Sequence, residues 1–582
     1  MPQFDTLIKN GTIVDGTRAP RFIGDLAIRD GRIAKIGAAG SISPGEAARV
    51  IDATGLNVVP GFVDLHTHYD AQLLWDPYLT TSSWHGVTSV AIGNCGFGFA
   101  PVKPDARERA MLTMERVEAI PLATMQAALA PQWDWETFPE WLDHLEKSPK
   151  GINVLSFVPI GPLMVYVMGL EESKRREPTK AELDEMCRLL EKSLDAGGCG
   201  WSAQRLGDGY TSVQRDYDGT PMTTDLMSDE TCFAFARVLR RRGEGFIQLT
   251  QAKADFQADL TFTEKLAEVA GRPILFNAVQ VNNRHPHQHR RLLDWGRRMQ
   301  EKGLQVWLQG ITTGNDMRFT FEDFNLFDGD PAWREVTLGS VAERVVKMRN
   351  PDYIAALRES YDHGSAPLVS GPIGGLFIEK TLKPENRKYE GVTIAELGQM
   401  RGQHPIDALM HLVTDENLAT VIFIPPFNKD EDYMQELLDS PYLIPGVSDG
   451  GAHTKFLSFG RYPTELLCDE VRKGMISLEE AHYRLSAMPA RCAGFIDRGT
   501  LAEGAPADIV IYDHAKLGLL PSEVVHDLPA NEWRRVERAE GYRHILINGV
   551  ETFHDGVCTG AVPGKLLRHG LTEGRSRLAA AQ

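Results

Sequence analysis

Apolar and polar residues alternate with period two through the first fifty-odd positions, as in Gly24-Asp-Leu-Ala-Ile-Arg-Asp-Gly-Arg-Ile-Ala-Lys-Ile-Gly37. That period marks half-buried strands, and Asp30-Gly31 supplies the two-residue hairpin turn between them. The pattern returns near the far end in Ala507-Asp-Ile-Val-Ile-Tyr-Asp513 and His544-Ile-Leu-Ile-Asn-Gly-Val-Glu-Thr-Phe553, where Asn548-Gly549 marks a second hairpin. Two β segments at opposite ends of a chain can share one small sandwich. Between them, from about Val58 to Phe495, short apolar runs alternate with longer helical stretches, the rhythm of repeated βα units on a parallel sheet. Candidate strands are Pro60–His68, Val87–Cys95, Ile152–Val158, Gly198–Gln204, Gly245–Gln251, Pro273–Val279, Leu304–Thr312 and Ile444–Asp449. Eight strands close a barrel, so the predicted fold class is α/β: a (β/α)8 TIM-like barrel with a small β-sandwich built from both chain ends. The expected divisions are 1–57 and 495–565 for the sandwich, 58–494 for the barrel, and 566–582 for a frayed tail. An insertion at about 313–400, rich in Gly, Pro and aromatics, breaks the rhythm and is expected over the barrel mouth.

Composition narrows the class without changing that picture. With 42% apolar and 24% charged residues in 582, the chain can bury a large core, and wholesale disorder, collagen and coiled coil are excluded. The formal charge of −17 repels phosphate backbones, so no nucleic-acid partner is expected. The longest uncharged segment, Val154 to Leu170, is interrupted by Pro and Gly and is short for a membrane span; it reads as a buried strand and the loop after it. Seven cysteines, odd in number and widely spaced, argue against a disulfide framework and for a reducing compartment. With no secretory signal visible at Met1-Pro2-Gln3-Phe4-Asp5, a cytoplasmic location is expected. The acidic surface is compatible with a soluble homo-oligomer.

Three strand ends carry candidate chemistry. In Gly61-Phe-Val-Asp-Leu-His-Thr-His68, positions two apart face the same way, so His66 and His68 project together into the barrel mouth, where imidazoles suit zinc. A lone His-x-His is as compatible with a surface or core pair, but here it closes an apolar strand after a Pro-Gly turn. Ala91-Ile-Gly-Asn-Cys-Gly96 ends the next strand; a buried cysteine is ordinarily a small hydrophobe, yet at a strand end Cys95 becomes a candidate thiolate ligand. Val447-Ser-Asp-Gly-Gly-Ala-His453 ends the last strand, and Asp449 there is either a turn aspartate or a metal ligand and proton acceptor. Barrel closure makes the first and last strands neighbours and favours the second reading. Arg205, Gln251, Lys253 and His453 are candidate substrate-binding residues at strand ends.

These segments, with Trp84-His-Gly-Val-Thr88 and Ala505-Pro-Ala-Asp-Ile-Val510, resemble the metal-dependent amidohydrolase superfamily over nearly the whole chain. Within it they are most similar to the N-acyl-D-amino-acid deacylase (D-aminoacylase) branch. The resemblance implies a barrel with a terminal β-sandwich and a small-molecule amide substrate. It also implies zinc held by His66, His68, Cys95 and Asp449, with Asp449 as the catalytic base and acid while hydroxide on the metal attacks the amide. The chain departs from the branch where histidine ligands are expected at the ends of strands five and six. It has Thr250-Gln-Ala-Lys253 and Asn277-Ala-Val-Gln280 instead, and an amide is a poor zinc ligand. One ion rather than two is therefore expected, unless His285, His287 or His289 of the following loop replace the missing ligands. Two other functions remain open: hydrolysis of a cyclic amide, carbamate or exocyclic amine, and a non-catalytic scaffold.

Overall fold

The computed structural model describes residues 2–207, 214–252, 255–282, 287–323, 326–364, 372–456 and 459–569. Eight parallel strands follow one another around a ring: β1 (Phe62–Asp64), β2 (Val87–Ile92), β3 (Asn153–Ser156, continued by Val158–Pro159), β4 (Gly200–Arg205), β5 (Phe246–Gln251), β6 (Ile274–Val279), β7 (Val306–Gly310) and β8 (Leu443–Pro445). A parallel bridge between Thr67 and Gly450, with the His68 N–H donating to the Gly450 carbonyl at 2.6 Å, joins the first stave to the last. β1 and β8 are shorter than their apolar runs predict. The cause at β8 is backbone conformation, since Gly446 (φ +95°) and Asp449 (φ +47°) leave the extended region. All six residues of β2 and all six of β4 are buried, as a parallel sheet covered on both faces requires. The segment after β3 corrects the expectation of a loop, because Ile160–Met168 is helical.

Both chain ends meet in one nine-stranded sheet, in which Asn57–Pro60 pairs with Phe4–Ile13 on one side and Ile509–Tyr512 on the other. Its two predicted hairpins turn where expected: Asp30 and Gly31, and Asn548 and Gly549, all have positive φ. The insertion runs beyond residue 400. Met317–Phe319, Phe377–Lys380 and Val421–Ile424 form a three-stranded antiparallel sheet with a core of its own. The end of the chain is not frayed at Leu566–His569: Leu566 and Leu567 are buried, and the Leu567 N–H donates to the Val154 carbonyl at 2.7 Å.

Candidate metal centre

Short polar bonds around β1 fix where His66 and His68 point. Asp64 Oδ1 accepts the His66 N–H at 3.1 Å, and Ser448 Oγ donates to the His66 carbonyl at 2.8 Å, lacing the first stave to the last. The two rings emerge on the same side with centroids 5.5 Å apart. Cys95 stands in a tight turn after β2, with φ of +55° between Gly93 at +74° and Gly96 at +77°. Left-handed backbone favours glycine, which explains the residues on either side of the cysteine. The turn is pinned from across the barrel: Gln248 Oε1 accepts the Cys95 N–H at 2.6 Å, and Ser202 Oγ accepts the Gly96 N–H at 3.0 Å.

His66 stands between Asp449 on one side and Cys95 on the other. Asp449 Oδ1 lies 3.2 Å from His66 Nε2 and 3.8 Å from His68 Nε2, and Cys95 Sγ lies 3.4 Å from His66 Nε2. His66, His68 and Cys95 can each place a ligand atom within 4.8 Å of the others, and all three are buried. Burial alone would depress the His66 imidazolium, but charge on Cys95 and the bond to Asp449 hold it well above the ordinary value. His68 is pushed down to about 3, chiefly by burial. Burial would raise Asp449, yet its bond to His66 and the neighbouring imidazoles lower it to about 2. Two imidazoles and a thiol gathered this closely, with a carboxylate beside the two rings, fit zinc, a borderline-soft ion that takes N, S and O donors. Gln309 Oε1, 3.1 Å from His66 Nδ1, occupies the far side of that ring and leaves Nε2 to face the cluster.

The other candidates divide. His453 belongs to the site: its Nε2 is 3.6 Å from Glu118 Oε2, and its ring is partly buried beside Phe456. Arg205 does not. Fully buried, it points out of the barrel, donates to the Met227 carbonyl and Asp229 Oδ1, both at 2.7 Å, and covers the Phe262 ring. Gln251 also faces outward and donates to Asp259 Oδ1 at 2.7 Å. Strand alternation is the reason: on β5 the inward residues are Gln248 and Thr250, so their neighbours Leu249 and Gln251 turn away. His287 contacts Arg290 at the start of the helix Gln288–Glu301, and His289 is bound to Glu436 at 2.8 Å, so neither reaches the cluster. Lys253 and His285 lie outside the described residues.

Sequence reasoning did not assign to the site the groups that β5 and β6 bring beside Cys95. Gln248, Thr250 and Asn277 are joined by bonds of 2.8 to 3.2 Å, and Thr250 Oγ1 lies 3.2 Å from Cys95 Sγ. Gln248 and Thr250 lie on the strand face opposite Gln251, so choosing the other parity along the strand would have found them. It missed Glu118 as well, at the end of helix α1 (Arg107–Glu118). This carboxyl is fully buried with no hydrogen bond to either oxygen among the described residues, 3.6 Å from His68 Nδ1 and from His453 Nε2. Burial, reinforced by Asp449, raises it well above the ordinary carboxyl range. No local pattern announces it.

The sequence profile of the amidohydrolase family matches residues 49–558. An N-acyl-D-aspartate deacylase of Alcaligenes xylosoxydans xylosoxydans is 35% identical over 98% of this chain and 96% of its own, and a D-aminoacylase of the same organism is 26% identical over 97% of each. Among solved structures, an N-acyl-D-glutamate deacylase of Bordetella bronchiseptica, complexed with zinc and a phosphonate inhibitor, has a TM-score of 0.66 at 22% identity. That match covers 97% of this chain and 100% of the other. A D-aminoacylase described as having a binuclear metal center has a TM-score of 0.67, also at 22% identity and the same coverage. These structural likenesses bear on the fold.

Proposed function

Because the chain belongs to the amidohydrolase family, we propose that it is a metal-dependent hydrolase of non-peptide carbon–nitrogen bonds, with N-acyl-D-amino acids as substrates and one zinc ion at its centre. One observation carries the reading: His66, His68 and Cys95 gather their ligand atoms at the barrel mouth, with Oδ1 of Asp449 beside the two rings. These four residues would hold the ion. When bound, it supplies Lewis acidity, lowering the pKa of water and polarising the amide carbonyl. A single ion is supported by the neutral amides and hydroxyl of Gln248, Asn277 and Thr250, which satisfy one another where a second set of ligands is expected.

Asp449 moves the proton. Its carboxylate is ionised at neutral pH and its side chain keeps 19% of its exposure, whereas Glu118 has none, so water and substrate reach Asp449. It accepts a proton from the attacking water and delivers it to the departing amine, which cannot leave as an anion. Beside the Cys95 turn, a small pocket lined by Phe97, Val102, Ala110, Met114, Val165 and Met222 offers an apolar surface for the substrate's hydrocarbon part.

Elemental analysis of the purified protein tests the centre. Near-stoichiometric zinc is expected in the parent and a clear loss in Cys95→Ala; unchanged content in the variant removes Cys95 from the site. Incubation with N-acyl-D-amino acids is expected to release carboxylic acid. Turnover that releases carbon dioxide or ammonia from other amides would instead favour the cyclic-amide, carbamate or exocyclic-amine reading, which the altered lining of β5 and β6 keeps in play.

A further inference from the structure

Away from the barrel, one hairpin of the terminal sheet gathers a second set of metal-type donors. His544 and His554 stand directly opposite each other on Tyr542–Ile547 and Val550–His554, and Glu551 precedes His554 by three residues. Glu551 Oε1 lies 2.6 Å from His544 Nδ1 and 2.9 Å from His554 Nδ1, and the two nitrogens are 3.2 Å apart. Three donors in one hairpin therefore share one small volume. Among the described residues, only this group and the barrel cluster bring three His, Cys, Asp or Glu ligand atoms so close.

Partial burial would raise Glu551, but without a metal its Oε1 can accept an N–H from each imidazole, which lowers the carboxyl below the ordinary range. A cation between them uses all three lone pairs at once. Tetrahedral zinc with bonds of about 2.0–2.2 Å holds its donors about 3.3 Å apart, so Glu551 Oε1 would have to draw back from His544 Nδ1 by about 0.7 Å and the other pairs spread less. Their surroundings suit that use. Arg49 bonds the other oxygen of Glu551 and thereby turns Oε1 toward the imidazoles. Asp555 Oδ2 lies 3.7 Å from His554 Nε2, placing a carboxylate behind that ring as zinc-binding histidines commonly have. The His554 side chain is 54% exposed, so the site opens to solvent and its fourth position falls to water.

We propose that His544, Glu551 and His554 form a second, peripheral site for a divalent cation of the zinc class, independent of the catalytic centre. Occupied, it clips together the two strands of the hairpin next to the sheet's edge strand Val557–Cys558.

Equilibrium dialysis of the full-length protein against zinc ion, followed by elemental analysis, tests the proposal. The parent is expected to retain one ion per chain more than His554→Ala, and Glu551→Gln to bind that ion at least about tenfold more weakly. His554 is half exposed, so its truncation leaves no cavity in the core, and hydrolytic activity of His554→Ala is expected to equal the parent's. Cys95→Ala is expected to keep the peripheral ion while losing the one in the barrel, so failure of the two assignments can be told apart. Equal ion counts in the parent, His554→Ala and Glu551→Gln would overturn the proposal and leave the cluster an ordinary ion-pair network.

Discussion

Glu118 is the residue whose surroundings ask most for explanation. A buried carboxyl with neither oxygen bonded costs several kcal/mol unless something nearby compensates, and the nearest groups are imidazole nitrogens of His68 and His453 at 3.6 Å. Carboxyls behind ligating histidines fix the tautomer and raise the ligand's basicity, and their loss typically weakens metal binding about 10–100-fold. Glu118→Gln is therefore expected to lower zinc affinity by that factor, read by chelator competition, with the fold intact by circular dichroism. Affinity equal to the parent's would show that Glu118 acts on the ligand not at all. Asp449→Asn separates a different role: it keeps the side chain's size but cannot take a proton, and turnover is expected to fall about 10²–10⁴-fold. That His66, His68, Cys95 and Asp449 lie near one another was legible in the sequence because each sits at the end of an apolar run beside glycine or a turn. Arg205 and Gln251 were misread because a strand end names two adjacent residues, and only one of them faces inward. Glu118 was illegible because its partners lie fifty and more than three hundred residues away.

At the level of elements, the alternation of short apolar runs with helical stretches located all eight staves, since each parallel strand carries apolar residues at least on the face that the helices cover. The inserted unit was the harder reading. Its three strands are four residues or fewer and widely separated in sequence, so no hairpin signal joins them. What holds it is aromatic packing: Phe327 and Trp333 stack with centroids 4.7 Å apart, Phe321 and Trp333 at 5.9 Å, and the Trp333 side chain is fully buried. Removing such a side chain costs about 3–5 kcal/mol. Trp333→Ala is thus expected to loosen this unit first, seen as faster amide exchange or proteolysis within 317–424 while the barrel strands stay protected. Uniform protection across the chain in that variant would mean the unit has no separate core.

Over the whole molecule, two buried histidines bond the barrel region to segments of the C-terminal part of the chain. His85, just before β2, is 2.8 Å from Thr464 Oγ1 and 3.1 Å from the Glu537 carbonyl, and His482 is 2.8 Å from the Tyr512 hydroxyl on Ile509–Tyr512. Burial lowers His85 to about 4 and His482 to about 3, so both are neutral in the fold, whereas in the unfolded chain each binds a proton near pH 6.5. Between those values the unfolded state holds more protons. Stability from each group is therefore complete above about pH 6.5 and is lost as pH falls toward the folded value, at about 1.4 kcal/mol per pH unit. Asp64 and Asp70, raised by burial to about 7, act in the opposite sense: the stability they contribute at low pH is lost as pH rises through their folded values. A single melting curve against pH mixes the two. The difference between parent and His482→Gln isolates one seam residue, because glutamine fills the site and can bond Tyr512 without titrating. The parent is expected to lose denaturation midpoint more steeply than the variant between pH 6.5 and 4, and parallel curves would show that the seam does not sense protons.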